Sequence, residues 1–256
     1  MSKIKVFESI IEFINFRKGI HPDIEMGLVP TMGALHQGHG KLLRQSVEEN
    51  DLTILSVFIN PTQFNETTDF EKYPKSWTED LALATAAGVD FVIAPNATEI
   101  YADKYRFKVS ENLYSKKLCG LHRPGHFDGV LTIVMKLLMF TRSKRAYFGE
   151  KDYQQLQLIK DMVSSFFIPT EIVACPTVRE SNGLAMSSRN LRLSKAGYDK
   201  ASFIYKYITQ NLSVSEVRKN LEENGFTVDY IEDEGNRRFV AATMEGIRLI
   251  DNVEKK

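Results

Sequence analysis

Short apolar blocks and longer amphipathic stretches alternate along the first two thirds of the chain. The apolar blocks, which have the length of strands, lie near residues 25–29, 52–58, 91–93, 146–148 and 170–174. Apolar residues recur at helical spacing over 5–18, from 38 onward, and over 78–87, 129–142 and 152–166. This alternation predicts an α/β fold, in which helices wrap both faces of a parallel sheet.

The pattern changes after about residue 177. From there the spacing predicts two helices, followed by short strands; these elements cover 195–211, 214–224, 227–233, 238–244 and 247–251. We therefore expect a small α+β domain over 178–256, joined to a larger domain over 1–177. Parallel sheets bind ligands beyond the carboxyl ends of their strands, so polar motifs are expected to gather on that edge.

Composition narrows the classes of partner. Lys and Arg number 33, as do Asp and Glu, so no general positive field attracts nucleic acid or membrane surfaces. Glu8 and Glu12 interrupt the apolar run that a secretory signal needs. Lys136 breaks the most apolar segment, which is too short to cross a membrane. Cys119 and Cys175 lack metal-type spacing, which favours reduced thiols and a cytoplasmic location.

Two histidines open the helix predicted after the strand at 25–29. His36 and His39 are three residues apart and follow a turn marked by Pro30 and Gly33. A helix N-terminus attracts polyphosphate, and imidazole donors beside it can follow charge that develops on phosphorus. The alternative is a pair of surface or capping histidines. The strand, glycine turn and helix together favour the phosphate-binding interpretation.

Two more polar segments follow predicted strands. In the segment 60–64, the neutral amides of Asn60 and Gln63 next to Phe64 suit a small hydroxy acid, although a loop amide also commonly bonds to its own turn. In the segment 149–155, Lys151 and Gln155 lie four residues apart and face the same way at a strand-to-helix junction. An exposed lysine is the alternative there.

The remaining two polar segments are also expected at the strand-end edge of the sheet. Arg123 and His126 precede the helix predicted from 129, and they fit either a phosphate-binding arginine or a solvated arginine with a capping histidine. The segment Ser187–Arg189 lies near the predicted domain boundary. Its hydroxyls and guanidinium can close over a triphosphate or cap the next helix, and the boundary position favours closure.

These motifs resemble the pantothenate synthetase (pantoate–β-alanine ligase) family of the His-x-Gly-His nucleotidylyltransferase group. The matching segments follow the family's order: PTMGALHQGH, FINPTQF, RPGHFDGV, FGEKDYQQL, MSSRN and RLIDN. The resemblance implies a Rossmann-like domain, a smaller carboxy-terminal lid and a homodimer. It also implies ATP-dependent condensation of (R)-pantoate with β-alanine, on the route to coenzyme A, through a pantoyl adenylate. AMP and pyrophosphate are released, and Mg²⁺ accompanies the ATP.

The resemblance also implies roles for matched residues. The residues implied to act on the phosphates and in catalysis are His36, His39, Lys151, Ser187, Ser188 and Arg189. Pantoate is implied to contact Gln63, Gln155, Met32 and Asn60. Other residues implied beside ATP are Pro30, Thr31, Met32, Gly33, Gly149, Asp152, Val178 and Met186. Phe64, Arg123 and His126 are implied to line the pocket, and Asp80 to lie near magnesium. Many relatives carry a glutamate where this chain has Cys119, so a salt bridge from that position to Arg123 is absent here.

Two other interpretations remain open. Another nucleotidylyltransferase of this group, acting on a phosphate acceptor, would need more cationic side chains in its acceptor pocket. The neutral side chains of Gln63 and Gln155 argue against this interpretation. A non-catalytic nucleotide-binding protein would lack one or more of His36, His39, Lys151 and Arg189, and the chain has all four. For the ligase reaction, no general base is needed in the first step, because a carboxylate is already ionised at neutral pH.

Overall fold

The computed structural model describes residues 4–255 and contains a six-stranded, fully parallel sheet. Its strand order is β1-β4-β3-β2-β5-β6. The strands are β1 (Lys5–Phe7), β2 (Met26–Thr31), β3 (Leu52–Val57), β4 (Phe91–Ile93), β5 (Arg145–Gly149) and β6 (Glu171–Cys175). The predicted α/β fold is therefore confirmed.

Alternate residues of the central strands point to opposite faces of the sheet, and both faces are buried. Leu28 and Ile54 belong to one apolar cluster, which is covered by α1 (Ile10–Arg17), α7 (His126–Thr141) and α8 (Tyr153–Ser165). Their neighbours Val29 and Leu55 belong to the other cluster, covered by α2 (Gln37–Glu49) and α4 (Trp77–Ala87). Each of these four strand side chains is fully buried, which stabilises the fold by roughly 1.5–3 kcal/mol per side chain.

The amino-terminal prediction of one helix over 5–18 is wrong. Residues 5–7 form β1, which pairs with β4 at the sheet edge, and α1 begins only after Ser9. Ser9 is the N-cap of α1, and the carboxylate of Glu99 accepts hydrogen bonds from its hydroxyl (2.9 Å) and from the Ile10 N–H (2.8 Å). A carboxylate distant in sequence therefore helps to fix the helix start.

Several helix boundaries also differ from the predictions. The predicted helix over 195–211 is two helices, α9 (Lys195–Ala201) and α10 (Phe203–Ile208). At the junction, the Ser202 hydroxyl donates to the Asp199 carbonyl (2.7 Å), a local bond that competes with helix continuation. Helix α7 begins at His126, three residues before the predicted start. Three short helices are not predicted at all: α3 (Thr67–Glu71), α5 (Ala97–Ile100) and α6 (Leu118–His122).

A second, antiparallel sheet follows, as predicted for the carboxy-terminal part. It contains β7 (Thr227–Glu234), β8 (Arg237–Met244) and β9 (Ile247–Glu254), and α9, α10 and α11 (Val214–Glu223) pack against it around their own apolar core. The predicted boundary at 177/178 lies in the segment between β6 and α9. Arg179 in that segment is joined to Asp251 of β9 by two hydrogen bonds, of 2.6 and 2.9 Å.

The strand order places a crevice at the carboxyl edge of the first sheet. From β2 the chain proceeds through β3 to β4 on one side, and later through β5 to β6 on the other. Loops leaving β2 and β5 therefore diverge, which leaves an open space between them. Over residues 4–255, no helix combines the length and apolar character needed to span a bilayer.

Candidate active site

A cavity of about 240 Å³ lies at this edge of the sheet. Pro30 and Thr31 at the end of β2, and Phe148 and Gly149 at the end of β5, form its floor. Helix α2 contributes one wall and helix α7 another. The segment around Ser187 contributes residues from the carboxy-terminal side. The cavity thus occupies the position that the parallel-sheet prediction indicates.

The cavity brings together nearly all of the residues singled out in the sequence. The cavity lining includes Pro30, Thr31, Met32, His36, His39, Asn60, Gln63, Phe64, Arg123, His126, Gly149, Lys151, Asp152, Gln155, Val178, Met186, Ser187, Ser188 and Arg189. Gly33 and Asp80 do not line it, and contribute instead to a neighbouring cavity. The convergence of separate loops is a finding about position, while the role of each side chain stays a prediction.

The two histidines cap α2 and also face the cavity. Nδ1 of His36 accepts from the Gly38 N–H (3.1 Å), and Nδ1 of His39 accepts from the His36 N–H (3.3 Å). Their rings lie 4.1 Å apart between centroids. Because both Nδ1 atoms accept, each neutral ring carries its proton on Nε2 and offers an N–H donor. The two histidines therefore cap α2 and also line the cavity, and phosphate binding by them stays a prediction.

Burial keeps these imidazoles uncharged. Burial, together with the positive charge of Lys151, lowers the pKa of His36 to about 4. Burial also lowers the pKa of His39 well below its usual range, with added effects of His36 and Lys151. At neutral pH the histidines are hydrogen-bond donors without full charge, so positive charge in the cavity comes from lysine and arginine side chains.

Lys151 is held by the loop after β5 and by the second sheet. Its Nζ lies 3.7 Å from a carboxylate oxygen of Asp152. The side-chain amide of Asn252 on β9 donates to the backbone carbonyls of Glu150 and Lys151, each at 2.9 Å. The buried carboxylate of Asp251 accepts from the Asn252 N–H at 2.8 Å. The carboxy-terminal sheet therefore fixes the loop that carries the cavity's lysine.

Asn60 organises the part of the cavity lining that contains Gln63. Its side-chain amide donates to the Gly129 carbonyl (3.1 Å) and to Oε1 of Gln63 (3.0 Å), while its oxygen accepts from the Tyr101 hydroxyl (2.6 Å). Nε2 of Gln63 points to the sulfur of Met32 at 3.2 Å. Asn60, which is 1% exposed, therefore uses its amide to set the orientation of Gln63.

Arg123 and His126 clamp the backbone of the same loop. The guanidinium of Arg123 donates to Nε2 of His126 (3.0 Å) and to the Gln63 carbonyl (3.1 Å). Since Nε2 of His126 accepts, its Nδ1 carries the proton and donates to the Gln63 carbonyl at 2.8 Å. Burial, together with the Arg123 charge, lowers the pKa of His126 to about 3. This ring is neutral and structural at physiological pH.

The segment Ser187–Arg189 approaches the cavity from the carboxy-terminal side. Ser187 caps a short 3₁₀ helix over Ser188–Arg192, and the Ser188 hydroxyl lies 3.1 Å from the hydroxyl of Tyr73. Arg189 donates to Asp69 of α3 at 2.9 Å, and Arg192 donates to the same carboxylate at 2.7 Å. Ser187 therefore caps this 3₁₀ helix and not the helix predicted near 195, whose N-cap is Ser194. Arg189 bridges the two parts of the chain.

Asp80 accepts hydrogen bonds from the loop before α2. Its oxygens accept from the backbone N–H groups of Ala34 (2.9 Å) and Leu35 (2.7 Å) and from the Ser76 hydroxyl (3.0 Å). It is 3% exposed, so these bonds compensate its burial. Among residues 4–255 no group of three or more His, Cys, Asp or Glu side chains is placed to hold a metal. The geometry favours a role for Asp80 in supporting the loop before α2, and its magnesium role stays a prediction.

Sequence reasoning missed part of the cavity wall. Val130, Ile133, Val134 and Leu137 of α7 line the cavity, and Tyr73 closes it beside Ser188. The spacing of the four α7 residues was visible in the sequence, but such a stripe ordinarily marks a core-facing helix. In the sequence, Asn252 belongs to the matching segment RLIDN, which gives it no role of its own. Its contact with the loop that carries Lys151 depends on the arrangement of the two sheets.

Comparison with known proteins agrees with this geometry. A family model described as pantoate-beta-alanine ligase matches residues 5–254. The chain belongs to the pantoate-beta-alanine ligase family. The pantothenate synthetase of Bdellovibrio bacteriovorus is 56% identical over 229 residues, covering 90% of this chain and 91% of that protein. The pantothenate synthetase of Legionella pneumophila strain Lens is 51% identical over 249 residues, covering 97% and 99%.

Solved structures of this ligase family have the same fold. The pantoate-beta-alanine ligase from Francisella tularensis, crystallised with beta-gamma ATP and beta-alanine, superposes with a TM-score of 0.95 at 38% identity, covering 98% of this chain and 97% of that one. The pantothenate synthetase from Thermus thermophilus superposes with a TM-score of 0.88 at 36% identity, covering 98% and 99%. The family assignment and the Rossmann-like fold are therefore confirmed.

Proposed function

We propose that this chain condenses (R)-pantoate with β-alanine at the expense of ATP, through an enzyme-bound pantoyl adenylate, and releases pyrophosphate and AMP. Family membership supports the overall reaction, and the Francisella tularensis ligase was crystallised with beta-gamma ATP and beta-alanine. The observation that carries the proposal is the set of side chains that the cavity brings together. Lys151 and Arg189 give it positive charge for phosphates, while the amides of Gln63 and Gln155 give it neutral hydrogen-bonding groups for a small hydroxy acid.

In the first step, a pantoate carboxylate oxygen attacks the α-phosphorus of ATP, and the bond to pyrophosphate breaks. The carboxylate is already the nucleophile, so the enzyme's task is to align the reactants and to stabilise charge on the phosphates. Lys151 supplies positive charge there, and the Nε2–H groups of His36 and His39 supply donors. Gln63 and Gln155 hold pantoate through neutral amides, beside the apolar stripe of α7, which suits the methyl groups of pantoate.

In the second step, the amine of β-alanine attacks the acyl carbon and AMP leaves. The adenylate also reacts with water, so the site must close while it exists. We propose that Ser187–Arg189 move inward when ATP binds, with Arg189 exchanging Asp69 for a phosphate. Limited proteolysis of this segment with and without ATP tests the movement, and identical cleavage rates would count against it.

Magnesium enters this proposal only as the counter-ion of ATP. The described residues offer no ready protein cage for it, and both oxygens of Asp80 already accept peptide N–H bonds. Mg²⁺ commonly keeps several waters and is held largely by substrate phosphates. When bound in this way it would neutralise phosphate charge, next to the amide, imidazole and ammonium donors described above.

A homodimer in the cytoplasm completes the proposal. The dimer rests on the family resemblance, and sedimentation equilibrium at micromolar protein concentration tests it. The cytoplasmic location is supported by Cys119 and Cys175, which are both buried free thiols, as expected of a protein kept in a reducing compartment.

One experiment tests the reaction as a whole. Exchange of labelled pyrophosphate into ATP should require pantoate but not β-alanine, and release of AMP should require β-alanine as well. Exchange without pantoate would indicate a nucleotidylyltransferase with another acceptor. The absence of both exchange and AMP release from folded protein would indicate a nucleotide-binding protein without this activity.

A further inference from the structure

Arg123 has an unusual electrostatic environment for an arginine beside the main cavity. Its guanidinium donates only to neutral acceptors in the described chain, the Gln63 carbonyl and Nε2 of His126. Across residues 4–255, it forms no ion pair within 4.0 Å. A partly buried positive charge is thus held in place by two hydrogen bonds and left without an anion.

The other cations around this region are paired. Lys151 lies 3.7 Å from Asp152, Arg189 lies 2.9 Å from Asp69, and Arg248 lies 2.7 Å from Asp229. All three share a smaller neighbouring cavity with Arg123, between the two sheets. Arg123 therefore stands at the junction of the main cavity and the interdomain space, where an anion could reach it.

The charge state of Arg123 agrees with this description. Burial lowers its pKa to about 10, and the nearby charges of Arg189 and Arg248 act in the same direction. It remains protonated at neutral pH, but without a counter-charge its burial is unfavourable. An anion placed against the guanidinium would remove that penalty and gain charge-assisted hydrogen bonds.

Three anionic groups enter the site under the proposed function, on which this inference rests. The ATP phosphates have Lys151 and the histidine donors. The pantoate carboxylate has to act as a nucleophile, and a guanidinium partner would stabilise its charge and reduce its reactivity. The carboxylate of β-alanine is different, because it stays ionised from binding to product release and takes no part in bond making.

We propose that Arg123 binds the carboxylate of the amino-acid substrate and thereby selects this substrate over amines that lack a carboxylate. The nitrogen of that substrate first gives up one ammonium proton to water. It then attacks the acyl carbon, forming the C–N bond, while the acyl C–O bond breaks and AMP leaves with the electron pair. A second proton leaves the nitrogen to give the amide. Two methylene groups away, the carboxylate remains on Arg123 throughout.

The test compares two acceptors in the full-length protein, β-alanine and 3-aminopropanol, which has a hydroxyl in place of the carboxylate. For Arg123→Gln, we expect the KM for β-alanine to rise about 10- to 100-fold, as for loss of a charge-assisted hydrogen bond. Its KM for 3-aminopropanol and its pantoate-dependent pyrophosphate exchange should change by a clearly smaller factor, because loss of the bond from Arg123 to the Gln63 carbonyl affects both acceptors and the exchange alike. Arg123→Lys should restore part of the β-alanine affinity. Arg106→Gln, which removes an exposed arginine that lines none of these cavities, is the matched control.

Two results would overturn the proposal. Equal losses with both acceptors, or a parallel loss of exchange, would show that Arg123 acts by holding the Gln63 loop. A wild-type enzyme with equal KM values for the two acceptors would refute it without any variant, which keeps the test decisive if Arg123→Gln fails to fold. Absence of pantoate-dependent exchange in the wild type would instead reject the proposed function.

Discussion

Substituting Gly129 by alanine should displace the loop that holds Gln63. A Cβ at this position would lie 2.5 Å from the Thr62 carbonyl oxygen and 2.8 Å from the Gln63 nitrogen. To reach the 3.4 Å of an ordinary contact, the Thr62 oxygen has to retreat by about 0.9 Å. The clashing atoms are backbone, so a side-chain rotation cannot relieve them.

Two energetic effects oppose each other in this variant. Overpacking of this kind destabilises by typically about 1–3 kcal/mol, whereas alanine favours the helix over glycine by about 1 kcal/mol. The net loss of unfolding free energy should be at most about 2 kcal/mol, which leaves the protein folded. A shift of nearly 1 Å in a positioning group lowers the rate about 10²-fold.

The assay is pyrophosphate–ATP exchange at varied pantoate concentration. We expect kcat/KM for pantoate to fall about 10²-fold in Gly129→Ala, with little change in the KM for ATP. Gly19→Ala is the control, because its Cβ would meet only the Phe16 carbonyl at 3.4 Å and Gly19 does not line the cavity. Folded Gly129→Ala with wild-type pantoate dependence would refute the claim that this helix positions Gln63.

Three further predictions follow from the same site. Lys151→Ala should lower kcat of the exchange reaction about 10²–10³-fold, and unchanged adenylate formation would contradict its role. Asp80→Ala should lower the free energy of unfolding, measured with urea, by at least about 2 kcal/mol, because two peptide N–H groups lose their acceptor. An altered Mg²⁺ requirement of the exchange reaction would instead favour a metal role. In the folded protein the pKa is about 4 for His36 and about 3 for His126, below the value of about 6.5 for an unfolded histidine. The unfolded chain therefore binds more protons as the pH approaches about 6.5 and falls below it. The free energy of unfolding should thus decrease as the pH drops from about 7.5 to about 5. His126→Gln should reduce that pH dependence in urea unfolding, and an unchanged dependence would contradict the assignment.

Local sequence patterns predicted most of the first sheet because each central strand is buried on both faces. Leu28 and Val29 point to opposite faces, so the strand reads as a continuous apolar run. The edge strand β1 has only three residues, and the sequence continues from it into a helical pattern without a break. The spacing of apolar residues therefore predicts one helix over 5–18 that includes this strand. Its identity depends on pairing with β4, which local spacing does not encode.

The sequence predicted the side chains that face the cavity better than the hydrogen bonds that hold those side chains in place. His36, Lys151 and Gln63 follow predicted strands, so their convergence followed from topology. The internal bonds of Asn60, the Arg123–His126 clamp and the Asn252 contact could not be foreseen. The bonds from Asn60 to Gly129, from Arg123 to Gln63 and from Asn252 to Lys151 join residues 69, 60 and 101 positions apart, so they depend on how the elements pack.

The contact of Asn252 with the loop that carries Lys151 has a consequence for the order in which the site forms while the chain is being synthesised. All six strands of the parallel sheet precede residue 176, so that sheet can pair long before β9 leaves the ribosome. The loop that carries Lys151 gains its two contacts with Asn252 only after residue 252 has been synthesised. During synthesis, the crevice of the parallel sheet can therefore form before the loop beside it is held in place by the second sheet.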